Sequence, residues 1–224
     1  VLVHPFDHRD IITGQGTLGL ELFDECPDLD TVVLGIGGGG LIAGVAGAIK
    51  ARAAAAGRTV RVIGVQAENS AAYPTSLAAG TPTTVDTRPT IADGIAVARP
   101  GDIPFEMIRE LVDEVITVSE DDIARALLVL MERAKLVVEP AGAVGVAAIL
   151  AGKVSASGTT VAVISGGDGG DGGAGYDAAA HAARDLTRTR GIRSLFHGAN
   201  PAARSSRPAR AGIGTDCGRP RERD

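Results

Sequence analysis

The segment covering residues 31–47 constrains the fold of this chain more than any other. It reads TVVLGIGGGGLIAGVAG, so an apolar β-branched run enters four consecutive glycines, and small residues follow. Four glycines in a row cost backbone entropy, and they are favoured where successive N–H groups must approach one ligand without side chains in between. The N-terminus of a helix offers free amides and a positive dipole that suit a phosphate. The pattern predicts a buried strand, a phosphate-binding turn and a helix, with a flexible loop as the alternative.

Strand and helix patterns alternate through residues 1–167, which predicts an α/β domain whose parallel sheet is flanked by helices. The expected strands are the apolar runs at residues 1–4, 31–35, 61–66, 114–118 and 160–165. Runs of this kind are typical of parallel strands buried on both faces. The expected helices cover residues 15–26, 40–56 and 70–79, a segment opened by a capping box of Ser119 and Asp122, and a segment from Pro140 to Gly152.

Composition excludes several classes of protein. Hydrophobic residues make up 45% of the chain and charged residues 22%, and no apolar run is long enough for a membrane span. Aromatic residues make up only 3% and the net charge is -5, so neither nucleic acid nor a membrane is an expected partner. No secretory signal pattern occurs, and Cys26 and Cys217 are too few for a disulfide framework. We therefore expect a cytoplasmic protein.

Residues 168–224 differ from the rest of the chain. They carry ten arginines and seven acids, and Gly, Ala, Arg and Pro fill 34 of their 57 positions. So little apolar surface cannot offset chain entropy, and the segment is predicted to be a disordered tail. A basic tail for nucleic acid and a frameshifted read-through of GC-rich DNA are the alternatives. Because the chain begins with Val1 instead of Met, a fragment or a processed chain is also expected.

The glycine run also permits a dinucleotide-binding interpretation. Gly35, Gly37 and Gly40 satisfy G-x-G-x-x-G, and Glu68 follows the next strand, where an acid would bind the ribose of NAD. That fingerprint needs only three glycines, however, and it leaves the later Ser-Gly-Gly turn without a role. A Walker A loop is excluded, because no Gly-Lys-Ser or Gly-Lys-Thr follows.

Six segments occur in an order typical of one enzyme family. They are HPFD at 4–7, ITGQGTLGLE at 12–21, GIGGGGLIAG at 35–44, ADGIAV at 92–97, VVEPAGAVG at 137–145 and ISGG at 164–167. As a set they resemble the pyridoxal-phosphate (PLP) enzymes of the tryptophan-synthase-β type, and within these the threonine and serine dehydratases. The resemblance covers residues 1–167 and implies part of the fold type II catalytic domain with PLP as its cofactor.

The resemblance implies a cofactor-binding role for eight residues. The N–H groups of Gly37, Gly38, Gly39, Gly40 and Leu41 would hold the phosphate, the Ser165 hydroxyl would bind the pyridine nitrogen, and Glu139 and Gly94 would lie near the ring. From the residues alone, Ser165 ends an expected buried strand at the edge where α/β proteins bind ligands, with a turn serine as the alternative. Gly94 could equally be part of a plain turn. Glu139 could equally complement the dipole of the helix that begins at Pro140.

Two segments of that family do not occur here. Ser-Phe-Lys-x-Arg-Gly carries the lysine that forms the Schiff base, and Ser-x-Gly-Asn-His binds the substrate carboxylate. The lysines of this chain are Lys50, Lys135 and Lys153, and each is expected to be solvated. The resemblance thus implies a lyase that turns threonine or serine into a 2-oxo acid and ammonia, here as an inactive fragment without a catalytic lysine. A PLP- or phosphate-binding remnant and an NAD-dependent oxidoreductase domain are the competing hypotheses.

No metal site is expected. Serine racemase relatives hold a divalent cation near the position of Glu68, with an acid six residues later, but Pro74 stands there in this chain. His4 and His8 flank a turn and are predicted to be structural or exposed. The expected partner is an amino acid, threonine or serine, and homo-oligomerisation is left open.

Overall fold

A parallel sheet forms the centre of the computed structural model, which describes residues 4–155 and 158–165. Its strands are β1 (Leu29–Gly35), β2 (Arg61–Ala67), β3 (Glu114–Val118) and β4 (Thr159–Ala162), in the spatial order β3-β2-β1-β4. The predicted strands from residue 31 onward are confirmed, although β4 ends three residues early. Except for His4, the strand expected at 1–4 lies outside the described residues, as does the tail from residue 168. The domain boundary after residue 167 stays a prediction.

Six α-helices pack around the sheet in the described part of the chain. They are α1 (Arg9–Glu25), α2 (Gly40–Ala55), α3 (Ala72–Ala79), α4 (Asp102–Leu111), α5 (Glu120–Val129) and α6 (Pro140–Leu150). The capping box that opens α5 is confirmed, since the Ser119 hydroxyl accepts the Asp122 N–H at 3.2 Å. A π-helical turn, Leu130–Ala134, extends α5 and ends at Lys135 with a φ of 58°. None of these helices is long and apolar enough to cross a membrane.

The helix predicted to start at residue 15 starts six residues earlier. Glycines at 14 and 16 are poor helix formers, and they hid the pattern in the sequence. Close packing between α1 and α2 explains the glycines at this contact. A Cβ on Gly19 would lie 2.7 Å from the Val45 carbonyl oxygen, and a Cβ on Gly44 would overlap the Ile12 carbonyl oxygen. The two backbones therefore touch, and this contact holds the first turns of α1 beside the start of α2.

Two apolar clusters cover the two faces of the sheet. Val32 and Leu34 of β1 pack on the side of α1, α2 and α4, whereas Val33 packs on the side of α5 and α6. Side chains alternate between the faces of a strand, so β1 is buried on both sides. This arrangement confirms the predicted α/β class with helices on both faces of a parallel sheet.

The strand order creates a crevice at one edge of the sheet. From β1 the chain moves outward to β2 and then β3, and it returns to the opposite side of β1 with β4. Connections therefore reverse direction between β1 and β4, and in open parallel sheets ligands bind outside the carboxyl ends of the strands at such a point.

Candidate functional site

A cleft of about 310 Å³ opens where the chain leaves β1 and β4. Its size falls at the lower end of the range for small-molecule pockets, which begins at roughly 300 Å³. The structure brings all eight sequence-predicted residues together around it: Gly37, Gly38, Gly39, Gly40, Leu41, Gly94, Glu139 and Ser165. Segments as far apart in sequence as residues 5 and 165 contribute to the lining.

The turn after β1 forms the wall that carries backbone donors. Gly39 precedes α2 with a φ of 103°, a backbone conformation that residues with side chains rarely adopt. No side chain caps the helix, and its first turn contains no acid. The first N–H groups of a helix have no acceptor within the helix, so Gly40 and Leu41 can donate into the cleft. The turn therefore presents amides and a positive helix end to a ligand.

The ring of Phe6, in the segment that precedes α1, covers the same turn. A Cβ on Gly38 would overlap its ring, so only glycine fits beneath it. The Asp7 carboxylate accepts the N–H groups of Asp102 and Ile103 at the start of α4, both at 2.9 Å, and His4 Nδ1 accepts the N–H of Asp7 at 2.9 Å. These bonds hold Phe6 in place, and His4 has the structural role we predicted.

Ser165 contributes a side chain to the lining of the cleft. Beyond β4 the Val163 N–H still donates to the Val33 carbonyl at 2.9 Å, which keeps the chain beside β1 up to Ser165. Ser165 is exposed and lines the cleft. A Cβ on Gly142 in α6 would overlap the Ser165 carbonyl oxygen, so this approach requires glycine. Ser165 is thus positioned by the backbone of α6.

Glu139 and Gly94 lie next to each other on a side wall. Glu139 is the N-cap residue of α6, but its side chain does not cap the helix. A Cβ on Gly94 would lie 3.6 Å from Glu139 Oε1. Residues 93–95 form a short 3-10 turn, which brings Ile95 to the cleft as well. The half-buried carboxylate of Glu139 therefore borders the cleft beside an apolar surface.

Residues 1–166 match a family of proteins described as "Pyridoxal-phosphate dependent enzyme". The chain belongs to this family. It is similar to the L-threonine ammonia-lyase of Thermotoga maritima, with 51% identity over 169 residues that make up 75% of this chain and 41% of that protein. The L-threonine dehydratase catabolic TdcB of Escherichia coli is 46% identical over 171 residues, 75% of this chain and 51% of the relative. The chain thus spans about half the length of these curated relatives.

Solved structures of related enzymes share the fold. The processed form of threonine deaminase isoform 2 from Solanum lycopersicum superposes with a TM-score of 0.73 at 31% identity, over 81% of this chain and 52% of that one. Maize serine racemase superposes with a TM-score of 0.69 at 38% identity, over 75% and 51% of the two chains. The parallel sheet described above therefore has the fold of the corresponding half of these two enzymes.

The residues of the cleft fit the cofactor of this family. Amides at the start of α2 suit a phosphate, the hydroxyl of Ser165, three residues beyond β4, offers a hydrogen bond, and apolar side chains such as Ile95 and Val97 suit a ring. Glu68, the acid of the dinucleotide interpretation, does not line the cleft and lies 3.4 Å from Lys153 Nζ. Glu68 is therefore not placed to bind the ribose of a dinucleotide in this cleft.

None of the three lysines lines this cleft. Lys50 Nζ lies 2.6 Å from Asp113 Oδ2 and donates to the Val60 carbonyl at 2.8 Å, so it is not the solvated side chain we predicted. Lys135 donates to the Glu132 carbonyl and Lys153 to the Thr117 carbonyl, both at 2.9 Å. In the described residues, no group of three or more His, Cys, Asp or Glu side chains could hold a metal.

The sequence patterns missed three contributors to the site. Phe6 lies within the segment HPFD, whose pattern predicts no role for it, yet its ring covers the turn. Gln66 and Tyr73 are both fully buried and contact the turn through hydrogen bonds. A glutamine inside the apolar strand RVIGVQ was the one available signal, since buried polar side chains must find partners.

Proposed function

We propose that this chain forms the phosphate- and ring-binding side of a PLP site in a dehydratase that releases ammonia from threonine. One observation supports the proposal: the amide turn after β1 and the hydroxyl of Ser165 border the same cleft, at the point where the connections between strands reverse direction. The printed names of the relatives, L-threonine ammonia-lyase and L-threonine dehydratase, favour threonine over serine as the substrate.

Each residue has a distinct task in this proposal. The N–H groups of Gly37, Gly38, Gly39, Gly40 and Leu41 bind the phosphate and anchor the cofactor. Ser165 donates a neutral hydrogen bond to the ring nitrogen, which leaves that nitrogen largely unprotonated and favours elimination over transamination. PLP, when bound, supplies the electron sink for loss of the hydroxyl group. Glu139 and Gly94 form the side wall that limits where the ring can lie.

Turnover is expected to be absent in this chain by itself. A lysine amine near the ring must remove a proton from the substrate in this type of chemistry, yet all three lysines of the chain lie away from the cleft. A non-catalytic protein that retains phosphate binding is therefore the second candidate, favoured by the same placement of the lysines. A cytoplasmic location stays a prediction, and the oligomeric state stays open.

A titration of the chain with PLP, pyridoxal and NAD tests the proposal. We expect PLP to bind more tightly than pyridoxal, because only PLP carries the phosphate, and we expect no binding of NAD. Equal affinities for PLP and pyridoxal would refute the phosphate cradle, and tight binding of NAD would refute PLP as its ligand. An assay for 2-oxobutanoate and ammonia with threonine should give no signal, and a signal would assign the missing amine to one of the three lysines.

A further inference from the structure

A buried hydrogen-bond network lies behind the glycine turn. Gln66 at the end of β2 and Tyr73 in α3 are both 0% exposed, and neither lines the cleft. Gln66 Nε2 donates to the Ile36 carbonyl at 3.3 Å, and Gln66 Oε1 accepts the Tyr73 N–H at 2.9 Å. The Tyr73 hydroxyl donates to the Gly38 carbonyl at 3.0 Å. The network thus binds two carbonyls of the turn from the protein interior.

Polar groups are costly at such a depth unless they are hydrogen-bonded. Both side chains meet this requirement. The Gln66 amide bonds to the Ile36 carbonyl and the Tyr73 N–H, and the Tyr73 hydroxyl bonds to the Gly38 carbonyl. Burial, with a smaller contribution from the charge of Asp7, raises the pKa of Tyr73 well above its ordinary value. The hydroxyl therefore remains a neutral donor to the Gly38 carbonyl throughout the physiological range.

The hydrogen bonds to the Ile36 and Gly38 carbonyls also fix the direction of the N–H groups of Gly37 and Gly39. A trans peptide unit places its C=O and its N–H on opposite sides, and the described residues contain no cis peptide. The Ile36 carbonyl shares its plane with the Gly37 N–H, and the Gly38 carbonyl shares its plane with the Gly39 N–H. Because both carbonyls are bound on the side of Gln66 and Tyr73, both N–H groups point the other way, toward the cleft that these glycines line.

We propose that Gln66 and Tyr73 are positioning residues, which fix the two peptide planes so that the N–H groups of Gly37 and Gly39 join those of α2 in holding the cofactor phosphate. The inference rests on the proposed function, because it requires the turn to bind that phosphate. A run of glycines is intrinsically flexible, and donors fixed before binding avoid the cost of ordering them when the ligand arrives.

The first test compares Tyr73→Phe with Ser76→Ala in the full chain. Ser76 lies in the same helix and is equally buried, and its hydroxyl accepts the Thr83 N–H at 2.9 Å, away from the turn. The Gly101 N–H also donates to the Gly38 carbonyl at 3.0 Å, so Tyr73→Phe should weaken PLP binding by only about threefold to tenfold. Pyridoxal affinity should not change in either variant, and Ser76→Ala should leave PLP affinity unchanged.

A second variant guards against misfolding of the first. Gln66→Met keeps a similar volume but removes the donor to Ile36, and it should also lower the ratio of PLP affinity to pyridoxal affinity. A purely structural role would lower thermal stability without changing that ratio. If a folded variant keeps the ratio of the unchanged protein, the inference is wrong.

The unchanged protein offers a measurement that needs no variant. Titration with inorganic phosphate, followed through the amide signals of ¹⁵N-labelled chain, should shift Gly37 and Gly39 together with Gly40 and Leu41. If only Gly40 and Leu41 shift, the helix end binds phosphate but the positioning inference fails. If no amide of the turn shifts and PLP binds no better than pyridoxal, the proposed function itself fails.

Discussion

The two ends of the cleft are built in different ways. The end beside β1 uses backbone amides, and its glycines are enclosed by Phe6, by Tyr73 and by the start of α4. The end beside β4 uses the side chain of Ser165, which is exposed and follows a strand of only four residues at the edge of the described sheet. A binding site made of backbone amides thus depends on the packing around it, whereas one made of a single exposed hydroxyl can change without affecting the fold.

Gly39→Ala should have the largest effect on the end beside β1. A Cβ there would overlap the Tyr73 hydroxyl oxygen, in addition to the strain of a positive φ. The left-handed backbone costs about 1–2 kcal/mol, and overpacking adds about 1–3 kcal/mol, both measurable as lost free energy of unfolding in urea. Gly57→Ala is the matched control, since Gly57 has a φ of 65° with no atom within 4 Å of a Cβ. Equal losses in the two variants would show that packing does not hold the turn.

Gly142→Ala tests the backbone contact that positions Ser165. The new Cβ would meet the Ser165 carbonyl, so the variant should lose about 1–3 kcal/mol of unfolding free energy and some affinity for PLP. Gly47→Ala, within α2, would place its Cβ 3.5 Å from Met107 Cε, an ordinary contact. That control should gain about 0.5–1 kcal/mol, because glycine is unfavourable inside a helix. The same sign in both variants would contradict a tight approach at Gly142.

Ser165→Ala tests whether the end beside β4 acts through its hydroxyl alone. Because the side chain is exposed, the unfolding free energy should change by less than about 0.5 kcal/mol, whereas PLP affinity should fall about twofold to tenfold. Affinity for inorganic phosphate, measured by calorimetry, should stay the same. Ser155→Ala, an exposed serine outside the cleft, serves as the control. An equal loss for inorganic phosphate would mean that the two ends are not independent.

Thr159→Val should have the smallest effect, at the start of β4. The Thr159 hydroxyl donates a hydrogen bond to the Asp28 carboxylate at 2.6 Å. This bond is the main cause that lowers the pKa of Asp28, and a hydrogen bond from the Asp28 backbone and the charge of Arg58 lower it further. A carboxyl whose pKa is lower in the folded state stabilises the protein above its unfolded pKa of 3.8, and this contribution is lost as the pH falls through the folded pKa. The variant should therefore be slightly less stable than the unchanged protein at pH 7.

The difference in stability between Thr159→Val and the unchanged protein should shrink as the pH falls below 3.8. Thermal melting of both proteins at several pH values measures this difference. Thr160→Val is the control, since the Thr160 hydroxyl reaches only the nearby Gly158 carbonyl at 3.4 Å. A difference that does not change with pH would show that the Asp28 bond does not stabilise this edge of the sheet.

Most elements could be predicted because their signals are local. Residues 31–47 contain the apolar strand, the glycines and the small-residue helix, and the structure confirms β1 and α2 within two residues. The capping box at Ser119 is likewise a local pattern. In contrast, α4 was not predicted, because Pro104 within its first turn and Gly101 before it are typical of a loop. The packing of this helix could not be predicted from spacing either, since Phe105 and Ile108 join the cluster over β1 only once the chain has folded.

Hydrophobic periodicity, backbone freedom and motif order are properties of the linear chain, so they predict most helices and strands, the glycine turn and the family. Three arrangements arise only when the whole domain folds: β4 returns beside β1, Gly142 lies against Ser165, and Gln66 and Tyr73 bind the carbonyls of the turn. Strand order and peptide orientation depend on contacts between residues distant along the chain. Such contacts are selected by packing of the whole domain, and no local pattern contains them.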